Sequence, residues 1–122
     1  MTLSLDHIQL AIPKDGEPKA RAFWCDLIGL AEIEKPTALQ ARGGLWLQLA
    51  GSELHLGVET PFTPAKKAHP GFQTNDITAL AARLTQTNHP VTWDTKLKNR
   101  RRFFTTDPFG NRLEFLLLHL AK

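Results

Sequence analysis

The chain has 122 residues, a formal net charge of +3 and 42% hydrophobic residues, which together predict one globular domain with a modest core over residues 1–122. A single cysteine excludes an intramolecular disulfide and fits a reducing, cytoplasmic compartment. No signal-peptide pattern and no apolar run of about 18 residues is visible, so we expect neither export nor a membrane span. The small positive charge argues against a nucleic-acid partner.

The first half of the chain alternates between strand and helix patterns. Apolar residues recur every second position in the strands and every third or fourth position in the helix, which Gly29 ends. The predicted elements are a strand at 3–12, a helix at about 17–28, and strands at 30–35, 45–49 and 53–59. They form a first module of about residues 1–59.

The second half repeats this order of elements. Residues 60–68 carry two prolines and two lysines and are interpreted as the linker, so the second module covers about residues 69–122. Asp76 is a favourable N-cap for its helix. The predicted strands lie at 69–74, 91–95, 102–106 and 113–118, with a tight turn at 107–111 between the last two.

Two units of strand, helix and three strands predict an α+β fold. Two units of about 55 residues are too few to stack as a solenoid. We expect instead two βαβββ modules that pair their sheets edge to edge, with the helices covering one face.

A short motif occurs once in each module. Both copies read Gly-x-x-Leu, then a side chain capable of binding a metal, then an apolar residue, at 51–56 and 110–115, and a histidine opens an apolar stretch upstream of each copy. Three imidazoles and one carboxylate would suit one divalent ion, and Zn, Ni, Mn, Fe and Co are not distinguished. The four candidate ligands are His7, His55, His69 and Glu114.

Strand alternation predicts where these side chains point. If Leu54 and Leu113 face the helices, His55 and Glu114 face the opposite side of the sheet. The same alternation assigns Trp46 to that side.

Other interpretations of these residues stay open. A single histidine in a strand is more often structural than a ligand, and Glu114 could pair with Arg112 or Arg100. A carboxylate among leucines needs a cation of some kind. His89 and His119 lie outside the repeat and are interpreted as surface residues.

Several segments resemble the vicinal oxygen chelate superfamily, which includes glyoxalase I, fosfomycin-resistance enzymes, extradiol dioxygenases, methylmalonyl-CoA epimerase and bleomycin-resistance proteins. The resemblance covers nearly the whole chain and is carried by residues 5–12, 22–30, 69–76 and, most specifically, 107–115. It implies a curved, cup-shaped mixed sheet around a divalent metal, with the helices on the outer face.

The resemblance also implies roles for individual residues. His7, His69 and Glu114 match the common His, His, Glu ligands of the family. His55 occupies a fourth position where the family more often has Glu or Gln, and is therefore a ligand or a base. His55 and Glu114 are the candidate catalytic residues. The family further implies a homodimer whose sites are shared between chains.

The expected function is that of a metal-dependent, glyoxalase-like lyase or isomerase acting on a small oxygenated or anionic substrate. A dioxygenase fits less well, because those relatives use a tyrosine near the metal and this chain has none. The alternative is a metal-free small-molecule or antibiotic-binding protein of the bleomycin-resistance type. The candidate substrate-binding residues are Trp46, Gln48, Trp93, Arg100 and Arg102.

Overall fold

The computed structural model describes residues 1–118, so His119 lies outside the described residues. Met1–Pro64 form one compact unit and a second unit begins at Ala65. Each unit contains a four-stranded mixed sheet, so the predicted α+β fold of two βαβββ modules is confirmed. No helix within the described residues has the length and apolar character needed to cross a bilayer.

The first unit is a four-stranded sheet with a helical connection after its first strand. Its elements are β1 (His7–Ile12), α1 (Glu17–Arg21), a wider helical segment (Ala22–Leu27), β2 (Glu32–Ile33), α2 (Thr37–Gln40), β3 (Leu45–Gln48) and β4 (Glu53–Val58). The strand order is β1-β4-β3-β2, with β1 parallel to β4 and β3 antiparallel to both of its neighbours.

The core of the first unit is formed by one face of this sheet and by the buried residues of the helical connection. Alternate residues of the strands are buried together with three helical residues, as the strand and helix periods require. These buried residues are Leu10, Ile12, Leu45, Leu47, Leu54, Leu56, Ala20, Phe23 and Trp24.

A glycine pair places α1 against the sheet. The backbone N–H of Gly44 donates to Glu17 Oε2 at 2.9 Å, and this bond holds the pKa of the Glu17 carboxyl below its ordinary value. Gly44 has φ of 84°, and a Cβ there would lie 2.0 Å from the carbonyl oxygen of Leu56. Only glycine allows the backbone to approach β4 so closely.

The second unit repeats the arrangement of the first. Its elements are β5 (Gly71–Thr74), α3 (Ile77–Gln86), β6 (Thr92–Asp94), β7 (Arg102–Thr106) and β8 (Arg112–Leu117). The order is β5-β8-β7-β6, with β5 parallel to β8. The predicted N-cap is confirmed, since Asp76 Oδ1 accepts the Ala79 N–H at 3.2 Å. α3 packs against β8.

The turn at 107–111 is held by a buried carboxylate. Asp107 Oδ1 accepts the backbone N–H groups of Phe109 and Asn111, both at 2.9 Å, and its other oxygen accepts the Asn111 side-chain amide. Burial raises the pKa of the Asp107 carboxyl. Asn111 Oδ1 in turn accepts the Ala65 N–H at 2.9 Å, so the turn also fixes the start of the second unit.

The structure differs from the sequence prediction at strand ends. The first strand begins at His7 rather than at residue 3, and the second spans only Glu32–Ile33 rather than 30–35. The apolar side chain of Leu3 led to the prediction of a longer strand. In the structure Leu3 is exposed and lies outside the sheet. The short helix Thr37–Gln40 was not predicted, because four residues carry too little periodicity to be recognised.

Candidate functional site

The repeat places corresponding side chains at corresponding positions in the two sheets. His55 is opposite Gln9 in the β1–β4 pair, and Glu114 is opposite Gly71 in the β5–β8 pair. His7 and His69 each lie two residues before that partner. Strand residues two apart share a face, so each histidine lies on the same face as the fourth-strand residue of its own unit.

These faces are opposite the apolar ones. Leu54 and Leu113 are fully buried in the cores of their units. His55 and Glu114 alternate with them and therefore point away from the core, yet they are only 6% and 8% exposed. Other polar and aromatic side chains cover them.

In the first unit, His55 lies between two rings. The Trp46 ring stacks on it at 4.0 Å between centroids and 2° between planes, and the His7 ring lies on its other side at 4.2 Å and 15°. Ring nitrogens bind a metal in the plane of the ring, and two parallel planes do not meet. His7 is half-exposed, so a rotation of its ring would be needed for both histidines to bind one ion.

Neighbouring carboxylates determine which ring nitrogen of His7 and of His55 carries the proton. His7 Nδ1 lies 2.9 Å from Asp6 Oδ2, and His55 Nε2 lies 2.9 Å from Glu53 Oε1. An ionised carboxylate only accepts, so the contacting nitrogen carries the proton. This leaves Nε2 of His7 and Nδ1 of His55 as the basic nitrogens.

In the second unit, His69 and Glu114 are in direct contact. His69 Nε2 lies 2.9 Å from Glu114 Oε1, and His69 Nδ1 donates to the backbone carbonyl of Lys67 at 2.9 Å. The carbonyl fixes a proton on Nδ1, and Nε2 donates to the Glu114 carboxylate, so Nε2 becomes a metal ligand only where an ion takes the place of its proton. Histidines that bind metals usually have their other nitrogen held in this way.

An arginine completes the surroundings of Glu114. Arg102 donates to Glu114 Oε2 at 3.1 Å and also pairs with Asp94 on β6. The sequence predicts Arg102 as a substrate-binding residue and leaves Arg112 or Arg100 as possible partners of Glu114. The only signal for the actual pair was the alternation of β7, which places Arg102 and Phe104 on the face of Glu114.

The other candidate substrate residues lie in several places. Gln48 donates to the carbonyls of Leu49 and Ser52 and so holds the β3–β4 turn. Trp93 pairs with Phe103 and shares its face, which is opposite to that of Glu114.

Trp93, Arg100 and Arg102 nevertheless line one cavity of about 800 Å³ in the second unit. Arg100 itself is held by Gln73 and by the Leu117 carbonyl. The structure therefore brings these three residues together, but only Arg102 contacts a candidate ligand.

Neither unit, within residues 1–118, gathers three or more histidine, cysteine, aspartate or glutamate side chains into a group suited to a metal ion. The first unit offers His7 and His55, whose stacked rings would need a rotation to share an ion, and the second unit offers His69 and Glu114, which are in contact. The donor set still fits a divalent ion: bonds to imidazole nitrogen and carboxylate oxygen of about 2.0–2.2 Å are compatible with adjacent ligands that lie as close as His69 Nε2 and Glu114 Oε1. The oriented His69 ring strengthens this fit.

A scan against protein-family models matched nearly the whole chain. The model described as Glyoxalase/Bleomycin resistance protein/Dioxygenase superfamily matches residues 4–115. None of the curated proteins matches the chain significantly.

Solved structures show the same fold over nearly the full length. A glyoxalase family protein from Bacillus anthracis is 40% identical, with a TM-score of 0.92 and 98% of each chain covered. A lactoylglutathione lyase from Agrobacterium tumefaciens is 17% identical, with a TM-score of 0.72 and coverage of 96% of this chain and 95% of that one. An antibiotic binding protein from a Streptomyces species is 22% identical, with a TM-score of 0.73 and coverage of 98% and 99%.

Proposed function

Since the chain belongs to the glyoxalase/bleomycin resistance protein/dioxygenase superfamily, we propose that it is a metal-dependent enzyme of the glyoxalase type, acting as a lyase or isomerase on a small oxygenated or anionic substrate. The ligands of a divalent ion are drawn from His7, His55, His69 and Glu114. The observation that carries this proposal is the His69–Glu114 pair, whose imidazole is oriented by the Lys67 carbonyl.

The bound ion would supply Lewis-acid stabilisation of negative charge on substrate oxygens. Around it, the residues of this chain have distinct tasks. The Lys67 carbonyl keeps one proton of His69 on Nδ1, so Nε2, which donates to Glu114, is the nitrogen that would exchange its proton for the ion. Arg102 holds one oxygen of Glu114 and leaves the other facing His69. Both contacts fix geometry before substrate arrives, which lowers the cost of ordering the site.

His55 is the group in the first unit best suited to move a proton. Glu53 holds its Nε2, so Nδ1 either serves as a fourth ligand or accepts a proton from substrate. The stacked Trp46 ring keeps the imidazole in one orientation and shields it from water.

Elemental analysis of protein purified without an affinity tag tests the metal. We expect a stoichiometric divalent ion in the wild type and in His89→Ala, and its loss in His69→Ala and Glu114→Ala. Full occupancy in both of the latter variants would reject the site. A thermal-shift screen of metabolites against the metal-loaded protein then identifies the substrate, and oxygen uptake with Fe(II) and catechols tests the dioxygenase alternative.

A metal-free binding protein is the second candidate. It is favoured by one observation, namely that both oxygens of Glu114 already accept from His69 and Arg102. In this case an aromatic or cationic drug would bind near Trp46. Quenching of Trp46 fluorescence by such a compound in the presence of EDTA, lost in Trp46→Leu, would support it. Quenching that requires added metal would support the enzyme instead.

A further inference from the structure

A second, smaller cavity of about 270 Å³ lies in the second unit, lined by Lys66, Phe104, Thr106 and Arg112 among others. Phe104 is opposite Glu114, and Thr106 is opposite Arg112, in the β7–β8 pair. These four strand residues therefore share the sheet face that carries Glu114. The cavity belongs to the same face as the candidate metal ligand but contains none of the four predicted ligands.

The two arginines on either side of Phe104 differ in their charge partners. Arg102 lies 5.4 Å from the Phe104 ring centre and is neutralised by Asp94 and Glu114. Arg112 lies 4.3 Å from the same ring. Among residues 1–118 no carboxylate forms an ion pair with Arg112. The Phe104 ring packs against the face of the Arg112 guanidinium. The N–H groups at the edge of the guanidinium stay available to an acceptor.

A second cation, Lys66, follows directly after a residue whose backbone is bound to that of Arg112. The Arg112 N–H donates to the Ala65 carbonyl at 2.8 Å, and the Ala65 N–H donates to Asn111 Oδ1 at 2.9 Å. These bonds fix the residue that precedes Lys66. Lys66 lines the cavity and, within the described part of the chain, has no ion-pair partner either.

Two cations without ion-pair partners line this cavity together with an aromatic ring, and this combination favours an anionic ligand. A guanidinium edge binds the two oxygens of a carboxylate or phosphate together, and a nearby ammonium adds a point charge. The side chain of Thr106 lies on the same face and adds a hydroxyl. The volume is slightly below the range of about 300–1,000 Å³ typical of small-molecule sites, so it suits one part of a small ligand.

We propose that Arg112 and Lys66 form a subsite for the carboxylate or phosphate group of a small organic anion, next to Phe104. The assignment of this anion as the substrate rests on the proposed function, since only then does the rest of the molecule extend along the sheet face to Glu114. Anion binding itself needs no metal.

NMR titration of the EDTA-treated protein with benzoate, and separately with inorganic phosphate, tests the subsite. We expect saturable shifts of the Arg112 Nε–H signal and of the backbone amides of residues 104–106 with at least one of the two anions. The anion that saturates at lower concentration identifies the preferred group. Loss of a charged hydrogen-bond donor should weaken binding about tenfold or more in Arg112→Gln. Lys66→Gln, at an exposed position, should weaken it by a smaller factor.

Arg83→Gln is the matched control, because it removes the same charge from an exposed position on α3. It should bind as the wild type does. The subsite is rejected if neither anion gives saturable shifts, or if Arg83→Gln weakens binding as much as Arg112→Gln. If Arg112→Gln does not fold, the anion affinities of Lys66→Gln and Arg83→Gln are compared instead. The subsite is then rejected if Arg83→Gln weakens binding as much as Lys66→Gln. Metal content is measured separately, so failure of the metal site and failure of the anion subsite are distinguishable.

Discussion

At the scale of single residues, the candidate site depends on pairs rather than on isolated ligands. Glu114 is nearly buried and contacts one imidazole and one guanidinium. The sequence indicated that a carboxylate among leucines needs a cation, and this is what the structure provides. Which cation it is was not predictable, because three arginines lay within reach and the choice depends on strand register.

Arg102→Gln tests the pairing around Glu114. We expect the free energy of unfolding to fall, because Asp94 and Glu114 both lose a charged hydrogen-bond donor. Urea denaturation measures this change. Arg83→Gln, an exposed residue of the same type, should stay within about 0.5 kcal/mol of the wild type. Equal stability of the two variants would show that the Arg102 pairs contribute little.

The pH dependence of stability should report the Glu17–Gly44 bond. The folded-state pKa of Glu17 is lowered from 4.5 mainly by the Gly44 N–H. A lowered pKa stabilises the fold above the ordinary value, and this stabilisation is lost as the pH falls through the folded-state pKa. Glu17→Gln should therefore be less stable than the wild type at about pH 7, and the difference should shrink at about pH 3.

Urea midpoints at the two pH values measure the Glu17 effect, with Glu34→Gln as the control at an exposed position. A difference between Glu17→Gln and the wild type that is the same at both pH values would contradict this account.

At the scale of elements, the sequence predicted the strands and helices well where periodicity is long. α3, with its Asp76 cap, and β7 at residues 102–106 match their predictions. The short elements β2 and α2 did not, because two to four residues carry little pattern. The stacking of Trp46, His55 and His7 could not be predicted either. The alternation of strand residues predicts the face on which a side chain lies but not the rotation of its ring.

Two glycines with positive φ should respond very differently to substitution. Gly44→Ala and Gly51→Ala both place a side chain in the left-handed region, which costs about 1–2 kcal/mol. Only at Gly44 does the new Cβ also meet a backbone oxygen, at 2.0 Å, whereas nothing lies within 4 Å at Gly51. Gly44→Ala should lower the melting temperature much more. Similar losses in the two variants would contradict the close approach to β4.

At the scale of the whole molecule, the repeat explains why each unit holds half of the candidate ligand set. The repeated motif predicts two matching ligand positions per module, and family membership agrees with the fold of each unit. We propose that the chain forms a homodimer and that its metal sites draw ligands from two chains.

Mixing two variants that each lack one candidate metal ligand tests this sharing. His7→Ala lacks a ligand of the first unit and Glu114→Ala one of the second. If sites are shared, mixed dimers contain one intact site, and metal binding should recover to part of the wild-type level. Each variant alone is the control. Mixed dimers that form without any recovery would show that each site belongs to one chain.

The most direct test of the metal site is the ¹⁵N signal of the His69 side chain during titration with Zn²⁺. One equivalent of the ion should shift Nε2 to a metal-bound value and leave Nδ1 protonated on the Lys67 carbonyl, with no such change at His89. Glu114→Gln should weaken the effect strongly. If zinc binds tightly while the His69 nitrogens keep their metal-free signals, the metal site proposed for this chain is wrong.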